Sequence, residues 1–430
     1  MFSIKKNIYQ LAPQRAQRLL SRIPYSWLAG ANYRQALALS KEAELFDAHE
    51  VREFQLNLLK KTLDFAVTQV PFYKPFKEAV DDLPPELALL EFPVLNKSAV
   101  QENKAQLIPD IIAHIPHHTA TTGGSTGNQL EFFEDDTTYA REMGHMHTQW
   151  ARVGYRPSLR KATFRGVSFS GSKPRQFWQY NPIHNELQFS PFEMTEENLA
   201  FYVKKLKSYK PSYLHGYPSA VSCIAEYVLR LPKSQRPRGI AAALLGSEAC
   251  SAEQRERIEK AFETRVFTWY GQSERVILAS ECEASTTYHS MPSYGYLEIL
   301  DLNGKECKEG KSGEIVGTGF LNRSMPLIRY ATDDHATKIG APCSHCGRKW
   351  QQFDAVEGRW NTEAFLTGRH GSNISAAALN MHGDMFANVV RYQYYQDTPG
   401  KVTIRVMCSP EYSEADAKAI LKTHHQKAEA

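Results

Sequence analysis

Apolar residues recur at helical spacing in several stretches of this chain, and short unbroken apolar runs lie between them. Val51, Phe54, Leu58 and Phe65 fall near one face of a helix over 50–66, which Pro71 then closes. Further helices are expected over 196–207, 218–231 and 251–262, the last opening on a Ser251/Gln254 capping box. The runs Ala241–Leu245 and Val266–Tyr270 have the length and composition of buried strands. Such alternation over 200–275 implies an α/β layered domain with a parallel sheet. After Tyr288 the style changes to short β runs broken at Asn303-Gly304, Glu309-Gly310 and Ser312-Gly313, the pattern of hairpins.

Composition narrows the class. A chain of 430 residues is long enough for roughly two to three domains. No apolar run approaches the ~18 residues of a membrane span. The net charge of +4 is too balanced for a protein that holds nucleic acid by neutralising phosphates, so nucleic acid is not expected as a partner. The charge is uneven, however: over 1–41 there are seven Lys and Arg and no Asp or Glu. Between Pro13 and Pro24, Ala16, Leu19, Leu20 and Ile23 face one way and Arg15, Arg18 and Arg22 another. This is an amphipathic helix, expected to pack on the domain surface; a peripheral foothold on anionic lipid is the sharper reading and a transit peptide the third. Seven cysteines, odd in number and sparse, argue against a secreted disulfide framework and fit a cytoplasmic location.

Two constellations carry chemistry. Thr121–Gly127 is a run of small hydroxyls and glycines able to wrap phosphate oxygens with N–H and O–H donors. Asn128 and Gln129 follow Gly127, so the Lys-Ser/Thr pair of a P-loop is missing. Cys282, His289 and the pair Cys343-x-x-Cys346 offer three sulfurs and one imidazole, a closed set for a structural Zn2+. A redox Cys-x-x-Cys and unrelated buried thiols are the alternatives.

Thr122–Gly127 also resembles the phosphate loop of the adenylate-forming (ANL) superfamily. Further stretches follow in that family's order: Gly246-Ser247-Glu248, Tyr270-Gly271-Gln272-Ser273-Glu274, Gly313-Glu314-Ile315 and the run Pro326–Asp334. Within the superfamily the chain looks most like phenylacetate-CoA ligases and their CapK-like relatives. Val70–Tyr73, Phe92–Lys97, His215–Ser219 and Leu321-Asn322-Arg323 carry that likeness, which covers residues 50–420.

The resemblance implies a large N-terminal α/β domain over 1–358 and a small C-terminal α+β domain over 359–430, incomplete relative to the family. It implies that Ser125, Thr126 and Gly127 hold ATP phosphates and that Gly246, Ser247, Glu248, Tyr270, Gly271, Gln272 and Ser273 line the nucleotide pocket. Asp334 would accept the ribose hydroxyls, Glu274 would hold Mg2+, and Arg359 would bind near ribose and phosphate at the hinge. Thr126 and Glu274 are then the catalytic candidates, and His215, Gly216 and Tyr217 line the acyl pocket. Some relatives carry a zinc site built from Cys pairs like these. The implied activity is activation of a carboxylic acid as an acyl-adenylate and transfer to a thiol such as CoA. Transfer to an amine or hydroxyl of a surface-polysaccharide precursor is one alternative, and a nucleotide-binding pseudoenzyme another.

The sequence departs from the family pattern in places. Asn128 stands where many relatives have Lys, Asp333 where Gly usually precedes the ribose-binding Asp, and Asn361 at or next to the hinge aspartate. Gly400-Lys401 reads as a hairpin turn rather than as the family's C-terminal Gly-Lys, so no catalytic lysine is assigned.

Overall fold

The computed structural model describes residues 23–122, 130–166, 177–357, 365–368, 373–375, 386 and 388–428. A small hairpin pairs β1 (His117–Thr121) with β2 (Glu131–Asp135). The other strands before residue 358 are β3 (Lys161–Phe164), β4 (Trp178–Asn181), β5 (Glu186–Phe189), β6 (Tyr213–Gly216), β7 (Ala242–Leu245), β8 (Arg265–Gly271), β9 (Leu278–Ser280), β10 (Tyr288–Ser290), β11 (Gly295–Leu300), β12 (Ser312–Gly319), β13 (Tyr330–Ile339) and β14 (Gln352–Glu357). They form a twelve-stranded sheet in the order β11-β12-β13-β14-β10-β9-β8-β7-β6-β3-β5-β4. The run from β8 to β5 is parallel, as the helix–strand alternation predicts, and the rest is antiparallel. The sheet ends at Glu357. Beyond it lie two separate hairpins, β15 (Phe365–Thr367) with β16 (Asn373–Ser375) and β17 (Val389–Thr398) with β18 (Lys401–Cys408). The turn between β17 and β18 holds Gly400 at φ 77°, in keeping with the hairpin reading of Gly400-Lys401.

Among the described residues seven longer helices flank these sheets: α1 (Gly30–Ala43), α2 (Ala48–Gln69), α3 (Thr138–Ala151), α4 (Glu196–Tyr209), α5 (Pro218–Arg230), α6 (Ala252–Phe262) and α7 (Glu414–Ala428). Their starts follow from capping. Asp47 and Glu50 form a capping box on α2, Thr195 caps α4, and the Ser251/Gln254 box opens α6. The buried face of α2 is rotated from the one the periodicity suggests. Val51, Gln55, Leu59, Leu63, Ala66 and Val67 are buried, while Phe54, Leu58 and Phe65 flank them. Polar Gln55 sits in that row because its amide donates to the Gly295 carbonyl at 3.0 Å. A second correction concerns Ser312-Gly313, which begins β12 rather than breaking a strand; the chain turns earlier, at Gly310 with φ 74°.

Alternation of side chains gives the parallel strands two unlike faces. Ala162, Phe164, Leu187, Phe189, Leu214, Ala243 and Leu245 pack with Leu199, Val221, Ile224 and Ile258 of α4, α5 and α6. On the other face Lys161 stands opposite Glu186 and Tyr213, and Thr163 opposite Gln188 and His215. That polar face looks toward α3. The chain from 1 to 22, including most of the basic amphipathic segment, lies outside the described residues. Among those described, no helix is long and apolar enough to cross a membrane.

Gly216 closes β6 at φ 149°, where a Cβ would lie 2.1 Å from the Phe164 carbonyl oxygen of β3. Gly216→Ala must therefore push the paired strands β3 and β6 apart, and an expected cost of ~2–4 kcal/mol should appear in denaturant unfolding. Gly310→Ala meets nothing within 4 Å and carries only the backbone penalty of its positive φ, about 1 kcal/mol. Equal losses in the two variants would refute the close-approach account.

Candidate active site and metal centre

A cavity of about 1340 Å³ opens along the polar face and C-terminal ends of the parallel strands, the usual place for a ligand in an open α/β sheet. The chain leaves each strand there in a turn that bares backbone. After β7, a Cβ on Gly246 would lie 2.3 Å from the Trp269 indole, so glycine lets that ring cross the backbone. Ser247 follows at φ 68° and accepts a hydrogen bond from Arg165 Nη2 at 2.6 Å. Glu248 Oε2 accepts from the Ser219 amide at 3.2 Å, at the N-terminus of α5.

At the end of β8 the Tyr-Gly-Gln-Ser-Glu motif, which begins inside the strand, folds onto β13. Tyr270 Oη donates to Asp334 Oδ2 at 2.9 Å, and Gln272 Nε2 donates to Tyr270 Oη at 3.2 Å. Gln272 Oε1 in turn accepts from the Ile277 amide and closes the turn. Burial, with the Asp334 carboxylate beside it, pushes the Tyr270 pKa far up, so the phenol keeps its proton and remains a donor. Glu274 is buried, and its Oε1 accepts from Tyr330 Oη at 2.7 Å. Asp333 holds φ 58°, a left-handed conformation that Asp is among the few side chains to tolerate.

Ser247, Glu248, Tyr270, Gly271, Gln272, Ser273, Glu274, Asp334, His215 and Tyr217 all border the one cavity. Gly216 and Gly246 act beneath it as points of close backbone approach. Ser125, Thr126, Gly127 and Arg359, with Asn128 and Asn361, lie outside the described residues. The ends of the phosphate-loop segment are described: the Thr122 amide and Oγ1 both bond the Leu130 backbone at 2.9 Å, so the loop springs from the β1–β2 hairpin at the cavity edge.

His215 is both a satisfied core residue and a cavity residue. Its Nδ1 donates to the Leu244 carbonyl at 2.9 Å, which leaves Nε2 as the acceptor of the neutral ring. Burial, helped by the nearby Lys161 charge, pushes its pKa well below the ordinary histidine range. The cavity also holds groups that sequence reasoning missed. Lys161 Nζ lies 3.3 Å from Glu186 Oε2, and Arg275 pairs with Glu134 and Glu142. The one available sign was Lys161-Ala162-Thr163-Phe164, an alternating strand in a sheet expected to be apolar on both faces.

The second constellation assembles away from the sheet's parallel half. Cys282 follows β9, His289 lies in β10, and Cys343 and Cys346 lie in the β13–β14 connection. Their ligand atoms all fall within 4.8 Å of one another. A tetrahedral zinc with ~2.3 Å bonds needs ligand atoms roughly 3.5–3.8 Å apart, and Cys346 Sγ already lies 3.4 Å from His289 Nε2. His289 Nδ1 donates to the Thr287 carbonyl at 2.9 Å, which turns Nε2 inward. Burial and the Arg152 and Arg348 charges push the His289 pKa down to about 4. The Ala284 and Ser285 amides point at Cys282 Sγ, and with Ser285 Oγ they outweigh burial and lower its pKa. The donor set suits a soft divalent cation held in a closed site.

No family model matches the chain. Protein CapK of Staphylococcus aureus is 27% identical over 313 residues, covering 70% of this chain and 65% of that protein, so the match spans just under two thirds of that relative's length. A phenylacetate-coenzyme A ligase of Thermus thermophilus is 23% identical over 351 residues, covering 76% and 74% of the two chains. Among solved structures, 2-hydroxyisobutyryl-CoA ligase in the postadenylation state superposes with a TM-score of 0.57 at 18% identity, over 90% of this chain and 84% of that one. The fold is thus that of the adenylate-forming ligases. Together with the sequence relatives it supports a place in the adenylate-forming superfamily, on the side of phenylacetate-CoA ligase and CapK.

Several buried histidines are held neutral, chiefly by burial: His145 is pushed down to about 4, and His147 and His215 lie well below their ordinary range. In the unfolded chain they take up protons near pH 6.5, so between that value and their folded pKa the unfolded state binds more protons and stability falls with falling pH. For His145 the loss by pH 4 is about 3 kcal/mol. The melting temperature should hold level from pH 8 to 7 and then drop as pH falls below about 6.5. A flat profile to pH 5 would contradict these neutral imidazoles.

Proposed function

We propose that this protein is an ATP-dependent, AMP-forming acid ligase. The carrying observation is the single cavity onto which every described nucleotide-binding candidate except Gly246 converges, and which His215 and Tyr217 also border. A substrate carboxylate attacks the α-phosphorus of ATP, pyrophosphate leaves, and the acyl-adenylate passes its acyl group to a thiol such as CoA. Ser125, Thr126 and Gly127 hold the phosphates, while Ser247, Glu248, Tyr270 and Gly271 surround the adenine. Asp334 takes the ribose hydroxyls, oriented through the Tyr270 hydroxyl on its Oδ2. Glu274, fixed by Tyr330, carries Mg2+. Positioning and charge stabilisation, not a protein nucleophile, supply most of the rate.

ATP–pyrophosphate exchange against a panel of carboxylic acids tests the reading. Acid-dependent exchange is expected, and its absence with every acid would leave a nucleotide-binding pseudoenzyme. Asp334→Ala removes a pair of charge-assisted hydrogen bonds worth ~2–4 kcal/mol, so ATP affinity measured by calorimetry should fall at least about tenfold.

The metal centre takes one structural zinc in this reading, with four protein ligands and no open position for chemistry. Purified protein should carry about one equivalent of zinc, and a chelator should lower its melting temperature. Normal zinc content in the Cys343→Ser, Cys346→Ser double variant would rule the site out.

A further inference from the structure

The end of the cavity over β3, β5 and β6 sets Tyr139, Met143, Met146 and Trp150 of α3 against a polar floor. Its floor is the polar face of β3, β5 and β6, carrying Lys161, Thr163, Glu186, Gln188 and His215, and all five border the cavity. Trp150 of α3 roofs it. Lys161 Nζ lies 5.2 Å from the Trp150 ring centroid, and the His215 ring centroid lies 5.0 Å from it. One donor-only cation and one ring with an acceptor nitrogen are thus gathered against the same indole.

The two charged residues are unequally satisfied. Glu186 accepts Thr163 Oγ1 at 2.7 Å and Lys161 Nζ at 3.3 Å on Oε2, and Asn181 Nδ2 at 3.1 Å and Gln188 Nε2 at 3.0 Å on Oε1. Its lone pairs are engaged, so it offers nothing to an ammonium group on a substrate. Lys161 has three donors. Among the described residues it meets that carboxylate, the Tyr155 side chain and the faces of Trp150 and Tyr155. With its charge already balanced by Glu186, it suits a neutral oxygen better than a second carboxylate. His215 complements it, because Nδ1 is committed to the Leu244 carbonyl and Nε2 can only accept while the ring is neutral.

We infer that this end of the cavity reads a hydroxyl group on the carbon skeleton of the acid, with Lys161 donating to the hydroxyl oxygen and His215 Nε2 accepting its hydrogen. A hydroxyl is the small neutral group that accepts and donates at once, as this pair demands. The inference rests on the acid-ligase reading and deepens it: the substrate class is a hydroxylated carboxylic acid. Lys161 and His215 are specificity residues that hold the tail, remote from the reacting carboxylate.

The experiment is pyrophosphate exchange with matched acids that differ only in hydroxylation: butanoate beside its 2-, 3- and 4-hydroxy forms, and phenylacetate beside mandelate and 4-hydroxyphenylacetate. At least one hydroxy acid should exceed its parent in kcat/KM by about tenfold or more, because a site built around a hydroxyl is left with unpaired polar groups by the parent. The Lys161→Met, Glu186→Gln double variant removes the ion pair together and so leaves no lone buried charge, and His215→Phe keeps a ring in place. In either variant the hydroxy-to-parent ratio should fall to near one, a change that general loss of structure, which lowers both rates alike, would not produce. Preference of the native protein for the parent in every pair, or an unchanged ratio in a folded variant, overturns the inference while leaving the acid-ligase reading standing. Exchange with none of the acids removes that reading, and this inference with it.

Discussion

A buried guanidinium has to be met by a carboxylate and by carbonyl oxygens, and the site's architecture depends on the one that Arg329 provides. Its Nη2 and Nε meet the two oxygens of Glu298 at 2.9 and 3.2 Å, and Nη1 donates to the Phe92 carbonyl at 3.0 Å. Its own amide bonds Thr318 Oγ1 at 3.0 Å, and its carbonyl accepts the Leu95 amide at 2.9 Å. One residue thereby joins β11, β12, the start of β13 and the segment around Leu95. Burial works to neutralise Glu298, opposed by Arg329, so neither charge is tolerable without the other. Everything that β13 presents comes after this anchor in the chain: Tyr330 to Glu274, Thr332 to the Ile315 carbonyl, and Asp334 to Tyr270.

The second constraint is the two-faced sheet. Parallel strands covered by helices on both sides are ordinarily apolar throughout. Here one face is apolar and the other carries Lys161, Thr163, Glu186 and His215 in register across three strands. Such groups can be buried only if they satisfy one another, and Glu186 shows how completely that is done. All four of these residues also border the cavity. Polar matching on the sheet and recognition in the cavity are then two outcomes of one pattern.

This also explains what the sequence made legible. Helices with a clean apolar stripe, such as α5, and strands with unbroken apolar runs, such as β7 and β8, could be read from spacing because solvent and core alone decide their faces. Nearly all of the motif residues within the described chain could be named, because glycine and hydroxyl runs leave local signals. The helix α3 could not. It buries Gly144, His145, His147, Thr148 and Gln149 beside Ala140, Met146 and Trp150, so polar and glycine positions blur its apolar row. Gly144 contributes to this, since a Cβ there would lie 2.8 Å from the Ala36 Cβ of α1. Lys161 and Glu186 were equally hidden: 25 positions apart in sequence, they become partners only through the β3–β5 register.

The metal centre and the cavity are joined by the residue between them. Glu281 precedes Cys282, borders the cavity, and is fully buried with Arg255, Arg265 and Thr268 on its carboxylate. Thr268 lies in β8 one residue before Trp269, whose ring crosses Gly246, and its hydroxyl also meets Tyr288 Oη at 2.7 Å. On the far side of the cysteines, Arg348 pairs with Glu44 beyond α1 and with Glu283, while Arg152, just past the end of α3, reaches the same Glu44 and the Glu281 carbonyl. An ion bound by Cys282, His289, Cys343 and Cys346 would therefore pin the β9–β10 turn to the β13–β14 connection, and through these arginines to the N-terminal helices. None of its ligands lines the cavity, yet the walls of the cavity hang from the elements it ties. Such a centre acts on the chemistry through the rigidity of the scaffold, which is what a closed four-ligand site can supply.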